Sequence, residues 1–173
     1  TRQSGEPVAE LLYSPVYLNV HNLVFARKEF AADIRQTQDL IFYPLVAFQN
    51  ASHVLGQDFM LATKQAKAYQ ELFDHLQAIQ LLMKGRIELL VMNKKTFYRR
   101  LAQLNYSVNE VKSFDILPQV HYRLAVTNQK LHDQVTKKLQ SYLKQDVLKS
   151  IELEAIQQTT EVEKLLRLHQ NKN

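Results

Sequence analysis

The chain has 173 residues, 46% of them hydrophobic and 23% charged, a composition that folds as one domain or two small lobes and excludes the disordered, collagen-like and low-complexity classes. Lys and Arg outnumber Asp and Glu by 22 to 17, an excess that suits nucleic acid or a membrane surface without choosing between them. Cysteine is absent, so disulfides, thiolate metal sites and cysteine nucleophiles are excluded.

Residues 1–15 read as irregular, broken by Gly5, Pro7 and Pro15. Val16 to Ala26 alternates loosely, as a partly buried strand does, and Ala31 to Leu40 carries the spacing of a short helix or turn. A short apolar strand follows at Leu45 to Phe48, with Ser52 placed as N-cap of a helix running toward Leu61. Tyr69, Leu72, Phe73, Leu76, Ile79 and Met83 share one helical stripe, which predicts a helix from about Tyr69 to Lys84 closed by Gly85. Ile87 to Met92 reads as a fully buried strand and Lys94 to Leu104 as the helix after it, an alternation typical of a parallel sheet with crossover helices. Val120 to Val126 is a further strand candidate. A long helix is then predicted from Lys130, with Leu131, Val135, Leu139, Tyr142 and Leu143 on its buried face, and the helical pattern continues past Ile151. No run approaches the about 18 apolar residues that span a bilayer. Thr1 opens a polar stretch with neither leader nor initiator Met, which we read as a processed or excised product.

The segments Asp39-Leu40, Leu45-Val46-Ala47-Phe48-Gln49-Asn50-Ala51-Ser52 and Leu55-Gly56 resemble the start of the second lobe of type II periplasmic solute-binding proteins, in the amino-acid-type family of bacterial extracellular solute-binding proteins (family 3). Leu81 to Asn93 is similar to that family's later stretch, where a helix ends at Gly-Arg and a strand follows. Tyr13-Ser14-Pro15-Val16-Tyr17 resembles the departure from the first lobe, and His121 to Val126 the return to it. The resemblance spans roughly Tyr13 to Ile151. It implies an α/β fold with one complete lobe, a parallel or mixed sheet flanked by helices, part of a second lobe and a helix-rich C-terminus. The implied divisions are 1–26 as lobe-one remnant and crossing strand, 27–115 as the solute-binding lobe, 116–150 as the return to lobe one, and 151–173 as a helical extension. Most of the first lobe is missing from this pattern, and the strand edges so orphaned suggest a homodimer or an exchange of segments.

The same resemblance implies a ligand site. Backbone N–H groups at a helix N-terminus attract anions, and Asn50, Ala51 and Ser52 occupy that place just after a strand; Ser52 serves there either as an N-cap or as a ligand contact. Asn93 stands where amino-acid binders of the family commonly have an Asp that pairs with the ligand's ammonium. An amide hydrogen-bonds but carries no full charge to offset a buried ammonium, so an ordinary α-amino acid is disfavoured. Glu88 on the same strand has a structural reading. Arg2 is the candidate carboxylate clamp, or else part of a frayed terminus. Tyr17 and Asn22 are placed to line a cleft or to pack at the crossing.

Three functions compete on these residues. The first is a solute-binding protein that captures a small polar solute, amino-acid-like or otherwise anion-bearing, between two lobes and delivers it to an ABC-type membrane transporter, in the periplasm or another extracytoplasmic space. The second is an extracytoplasmic sensing domain of a membrane receptor, suggested by the unbroken helical pattern from Gln145 to Leu168. The third is a basic helical scaffold or nucleic-acid module. Lys94, Lys95, Phe97, Tyr98, Arg99 and Arg100 interleave basic and aromatic residues as that module requires, yet Leu101 and Leu104 on the other face make a solvated helix surface the simpler expectation, with no nucleic-acid partner. Lys84, Arg86, Lys94, Lys95, Arg99 and Arg100 against Glu88 account for the whole net charge of +5. The six His show no i, i+4 pair and no nucleophile elbow is present, so neither a metal, a cofactor nor an enzymatic activity is expected.

Overall fold

The structure, a computed structural model, describes residues 10–144; the expected extension over 151–173 lies outside the described residues. The chain divides into two compact units, the larger holding Asn19–His121. The described part of the smaller unit is residues 10–18 and 122–144.

The larger unit is built on a five-stranded sheet. Its strands are β3 (Asn22–Arg27), β4 (Pro44–Phe48), β5 (Ala68–Leu72), β6 (Leu89–Asn93) and β7 (Val111–Phe114), in the order β5-β4-β6-β3-β7. β4 pairs in parallel with both β5 and β6, whereas β3 pairs antiparallel with β6 and with β7. The sheet is therefore mixed, its parallel half formed by the strands that alternate with helices. The sequence divisions at 26 and 115 are corrected by this sheet. β3 is one of its interior strands, hydrogen-bonded on both edges, so the larger unit begins before Ala26 and runs to His121.

Alternate residues of the central strands feed two cores. Val24, Ala26, Leu45, Ala47, Leu89 and Val91 pack on one face against Leu40, Ala51, Leu55 and Phe59. Leu23, Phe25, Val46, Leu90 and Met92 pack on the other against Ala78, Ile79, Leu82, Phe97 and Leu101. Burial on both faces explains the unbroken apolar runs, since such strands have no solvent side to mark with polar residues. Phe25 and Phe97 are fully buried and stack with ring centroids 3.6 Å apart and planes 7° from parallel. Each such side chain contributes about 1.5–3 kcal/mol through its burial.

The helices sort by face. α1 (Ala51–Val54) and α2 (Gln57–Gln65) cover the first core together with a 3₁₀ segment, Thr37–Phe42. α3 (His75–Met83) and α4 (Lys94–Gln103) cover the second. The single helix expected from Ser52 to Leu61 is two, because Gly56 at φ +90° breaks the chain between them. The helix expected from Tyr69 is corrected as well. Tyr69 and Leu72 belong to β5, in parallel register with Leu45 and Phe48, and the helix starts only where the Asp74 carboxylate accepts the N–H groups of Leu76 and Gln77, at 2.9 and 3.1 Å. Gly85 ends it at φ +69°, where a Cβ would lie 3.1 Å from the Arg27 guanidinium.

The strand expected over Val16 to Ala26 is interrupted at His21. Before it, β2 (Leu18–Val20) pairs with β8 (Val120–Tyr122) where the chain passes between the units; after it, β3 joins the sheet. The strand expected over Val120 to Val126 splits in the same way, because β9 (Ala125–Val126) pairs instead with β1 (Leu12–Tyr13) in the smaller unit. There α5 (Gln129–Lys144) lies against β1 and β9, and His132 Nε2 is 3.2 Å from the Tyr13 carbonyl. The expected apolar face of α5 is not buried: Leu131 and Leu143 are exposed, and no α5 residue is fully buried among the described residues.

Candidate functional site

The C-terminal ends of β4, β5 and β6 lie along one rim, since the three strands are mutually parallel. From β4 the chain departs to the face of α1 and α2, whereas from β5 and β6 it departs to the face of α3 and α4. Connections that part to opposite faces open a crevice at that rim, where open α/β sheets bind their ligands.

At the end of β4, Asn50 adopts the left-handed conformation, φ 64°, which Asn tolerates better than most residues. This turns the N–H groups of Asn50 and Ser52 toward β5, where the carboxylate of Glu71 receives them at 2.7 and 2.9 Å. The hydroxyl of Tyr69, two residues earlier on the same side of β5, donates to Glu71 at 2.7 Å. Burial opposes ionisation of Glu71, but the hydrogen bonds from Ser52, Tyr69 and Asn50 outweigh it and hold the carboxyl below its ordinary range. No cation among the described residues takes part in that balance. Tyr69 is pushed upward by burial and by the adjacent carboxylate, so its hydroxyl remains a donor at neutral pH.

The amides expected to meet a ligand anion meet the chain's own carboxylate in this structure. Ala51 is fully buried in the first core and offers no side chain to the rim. Nor is Ser52 the cap of α1, because it lies within the helix and Asn50 is at the cap position.

Asn93 ends β6, the strand beside β4, and its side chain caps α4. Its Oδ1 accepts the Thr96 N–H at 3.0 Å and its Nδ2 donates to the His21 carbonyl at 3.3 Å. Its cross-strand neighbour Asn22 is buried. Tyr17 belongs to the smaller unit, half-buried, with its N–H on the Tyr122 carbonyl at 3.1 Å. Arg2 lies outside the described residues. Glu88 is exposed at the opposite end of β6 from Asn93, with its N–H on the Pro44 carbonyl, which agrees with a structural role. The rim therefore brings Asn50 and Ser52 together with Glu71, a residue that sequence reasoning missed. The signal was available: Tyr69 and Glu71 are polar-capable residues two apart, a same-side strand pair hidden by assigning the stretch to a helix.

Of the basic cluster, Phe97 is fully buried and Tyr98 meets Phe25 edge-on at 5.7 Å. These rings are committed to the core and are not a stacking platform for bases. No group of three His, Asp or Glu placed to hold a metal occurs among the described residues, and no helix there is long and apolar enough to cross a membrane.

No protein-family model and no curated protein matches this sequence. Solved structures do. An ancestral arginine-binding protein bound to arginine is similar at a TM-score of 0.62 and 18% identity, over 83% of this chain and 63% of that one. The GLUR0 ligand binding core in complex with L-glutamate gives 0.62 and 14%, over 83% and 62%. The amino acid ABC transporter substrate-binding protein AbpA from Streptococcus pneumoniae, bound to L-arginine, gives 0.59 and 14%, over 81% and 58%. The chain spans less than two thirds of the length of each of these structures. It shares their fold, that of the type II periplasmic binding proteins.

Proposed function

We propose that this chain is the solute-binding lobe, with adjoining segments of a second, of an extracytoplasmic protein that captures a small polar solute for ABC-type transport. The observation that carries the proposal is the likeness of the described architecture to ligand-bound cores of that fold, joined to a rim that displays hydrogen-bonding groups where such sheets take ligands. Asn50, Ser52 and Asn93 are the proposed contacts from the larger unit.

Glu71 refines the solute class. Asn93 supplies no charge, but Glu71, ionised beside Asn50 and Ser52, supplies the full negative charge that an ammonium or guanidinium group needs on leaving water. We therefore place a cationic group of the solute at this rim. Thermal unfolding of the 173-residue chain with L-arginine, agmatine and L-glutamate tests this. A cationic solute at about 100 times its Kd adds about 2.7 kcal/mol of stability, an upward shift of several degrees in Tm, and L-glutamate shifts it less. Equal or absent shifts with all three would overturn the proposal.

A further inference from the structure

Beside Asn50 the larger unit holds a cavity of about 580 Å³ bounded by Phe48, Asn50, Phe73, Asp74, His75 and Arg100. It stands at the ends of β4 and β5, where the chain leaves one strand toward α1 and the other toward α3, and Arg100 reaches it from α4. Its volume falls in the range that small-molecule sites occupy. All six residues belong to the larger unit, so a ligand held here does not need the second lobe, and of the solute contacts proposed above it shares Asn50 alone.

The wall combines an apolar body with a guanidinium, an imidazole and a carboxylate. Phe48 is half-buried, while Phe73 is 84% exposed, an aromatic side chain that the core does not use. The Asp74 carboxylate lies in the wall but is engaged by the first-turn amides of α3. Arg100 donates to Gln103 Oε1 at 2.7 Å. Burial and then the positive charge of Arg100 disfavour protonation of His75, Asp74 opposes them, and Arg99 adds a smaller push in the same direction as Arg100. Two guanidiniums and one carboxylate engaged by backbone amides act on this ring, whereas Glu71, behind the Asn50 amide, is engaged by three donors of its own; the α4 side of the cavity therefore favours an anion.

We propose that this cavity binds an aromatic carboxylate, its ring against Phe48 and Phe73 and its carboxylate against Arg100 beside His75. A planar guanidinium suits a carboxylate because both present parallel hydrogen-bonding edges. An aromatic body adds contact with Phe73 that a small inorganic anion does not have.

The chain has no Trp, so an indole probe excited beyond the tyrosine band is seen without protein background. Indole-3-acetate and tryptamine carry the same ring with opposite charge, and their binding to the 173-residue chain is read by fluorescence anisotropy, with amide shifts of His75 and Leu76 locating the site. The expected result is saturable binding of indole-3-acetate, about tenfold or more tighter than tryptamine, with His75 and Leu76 shifting. Phe73→Ser, at a position too exposed to matter for folding, weakens it at least about fivefold, and Arg100→Gln removes the preference between the two probes. No saturable binding, equal binding of both probes, shifts elsewhere in the chain, or an unaffected Phe73→Ser would each overturn the proposal.

Discussion

Glu71→Gln removes a charge and turns one acceptor oxygen into a donor. The wild-type carboxylate accepts three hydrogen bonds, from the Asn50 and Ser52 amides at 2.7 and 2.9 Å and from the Tyr69 hydroxyl at 2.7 Å. If the glutamine oxygen keeps the Ser52 and Tyr69 contacts, its NH₂ faces the Asn50 N–H, donor against donor. Hydrogen bonds to a charged group contribute about 1.5–3 kcal/mol each and neutral ones about half that. One bond lost and two weakened would cost about 3 kcal/mol if fully buried, and solvent screening at this half-buried rim lowers the expectation to about 2 kcal/mol. For a chain of this size that is a fall of roughly 6 °C in Tm. The sign of the pH dependence follows from the depressed pKa of Glu71. Its stabilisation is fully present above the unfolded-state value of about 4.3 and is lost as pH falls through the folded-state value, because only the unfolded chain then takes up the proton. Urea unfolding of both proteins from pH 7 to pH 3, with hydrogen exchange at Asn50 and Ser52, should show a gap that is flat above about pH 5.5 and closes below it. A gap below about 0.5 kcal/mol at pH 7, well under one net hydrogen bond, or one unchanged at pH 3, would refute this account of the rim.

Other outcomes are equally specific. Phe97→Ala empties a fully buried position stacked on Phe25 and should cost about 4 kcal/mol in denaturant unfolding; a loss under about 1 kcal/mol would mean that this core is not packed as described. Gly85→Ala forces a Cβ into the left-handed conformation beside the movable end of Arg27 and should lower stability by about 1 kcal/mol, whereas a gain in Tm would contradict the assigned φ. His75 is held below its ordinary value by burial and by Arg100 and Arg99, against Asp74, so its contribution is present above about pH 6.5 and lost as pH falls. His75→Gln should flatten that part of the stability profile, and an unchanged slope would exclude His75 as its source.

The second half of the larger unit was legible because its signals were local. Gly85 after a helical stripe, an apolar run from Ile87 and a helix opening at Lys94 each needed only neighbouring residues, and the structure shifts their bounds by one or two positions. Tyr69 to Phe73 misled because strand residues of β5 happen to fall on the helical offsets of α3. Phe73 belongs to neither pattern, being exposed. The breaks at His21 and between β8 and β9 depend on partners about 70–110 residues away along the chain, as the pairings themselves show, and no local period announces them. The site divided along the same line. Asn50, Ser52 and Asn93 were singled out because Asn93 ends a strand visible in sequence and the other two follow one. Glu71 was not, because its role comes from the parallel pairing of β5 with β4.

β3 has a consequence for how the chain assembles. It is the first strand of the larger sheet to leave the ribosome, yet it sits between β6 and β7, which are made last. β4, β5 and β6 and their crossover helices can associate as soon as Asn93 is available, whereas Leu23, Val24 and Phe25 must wait unpaired for most of the unit's synthesis. Closing such long loops slows folding and leaves an apolar β-prone segment exposed in the nascent chain. Polar substitutions confined to β3 should therefore depress the yield of soluble chain out of proportion to their equilibrium cost if insertion of this strand limits assembly.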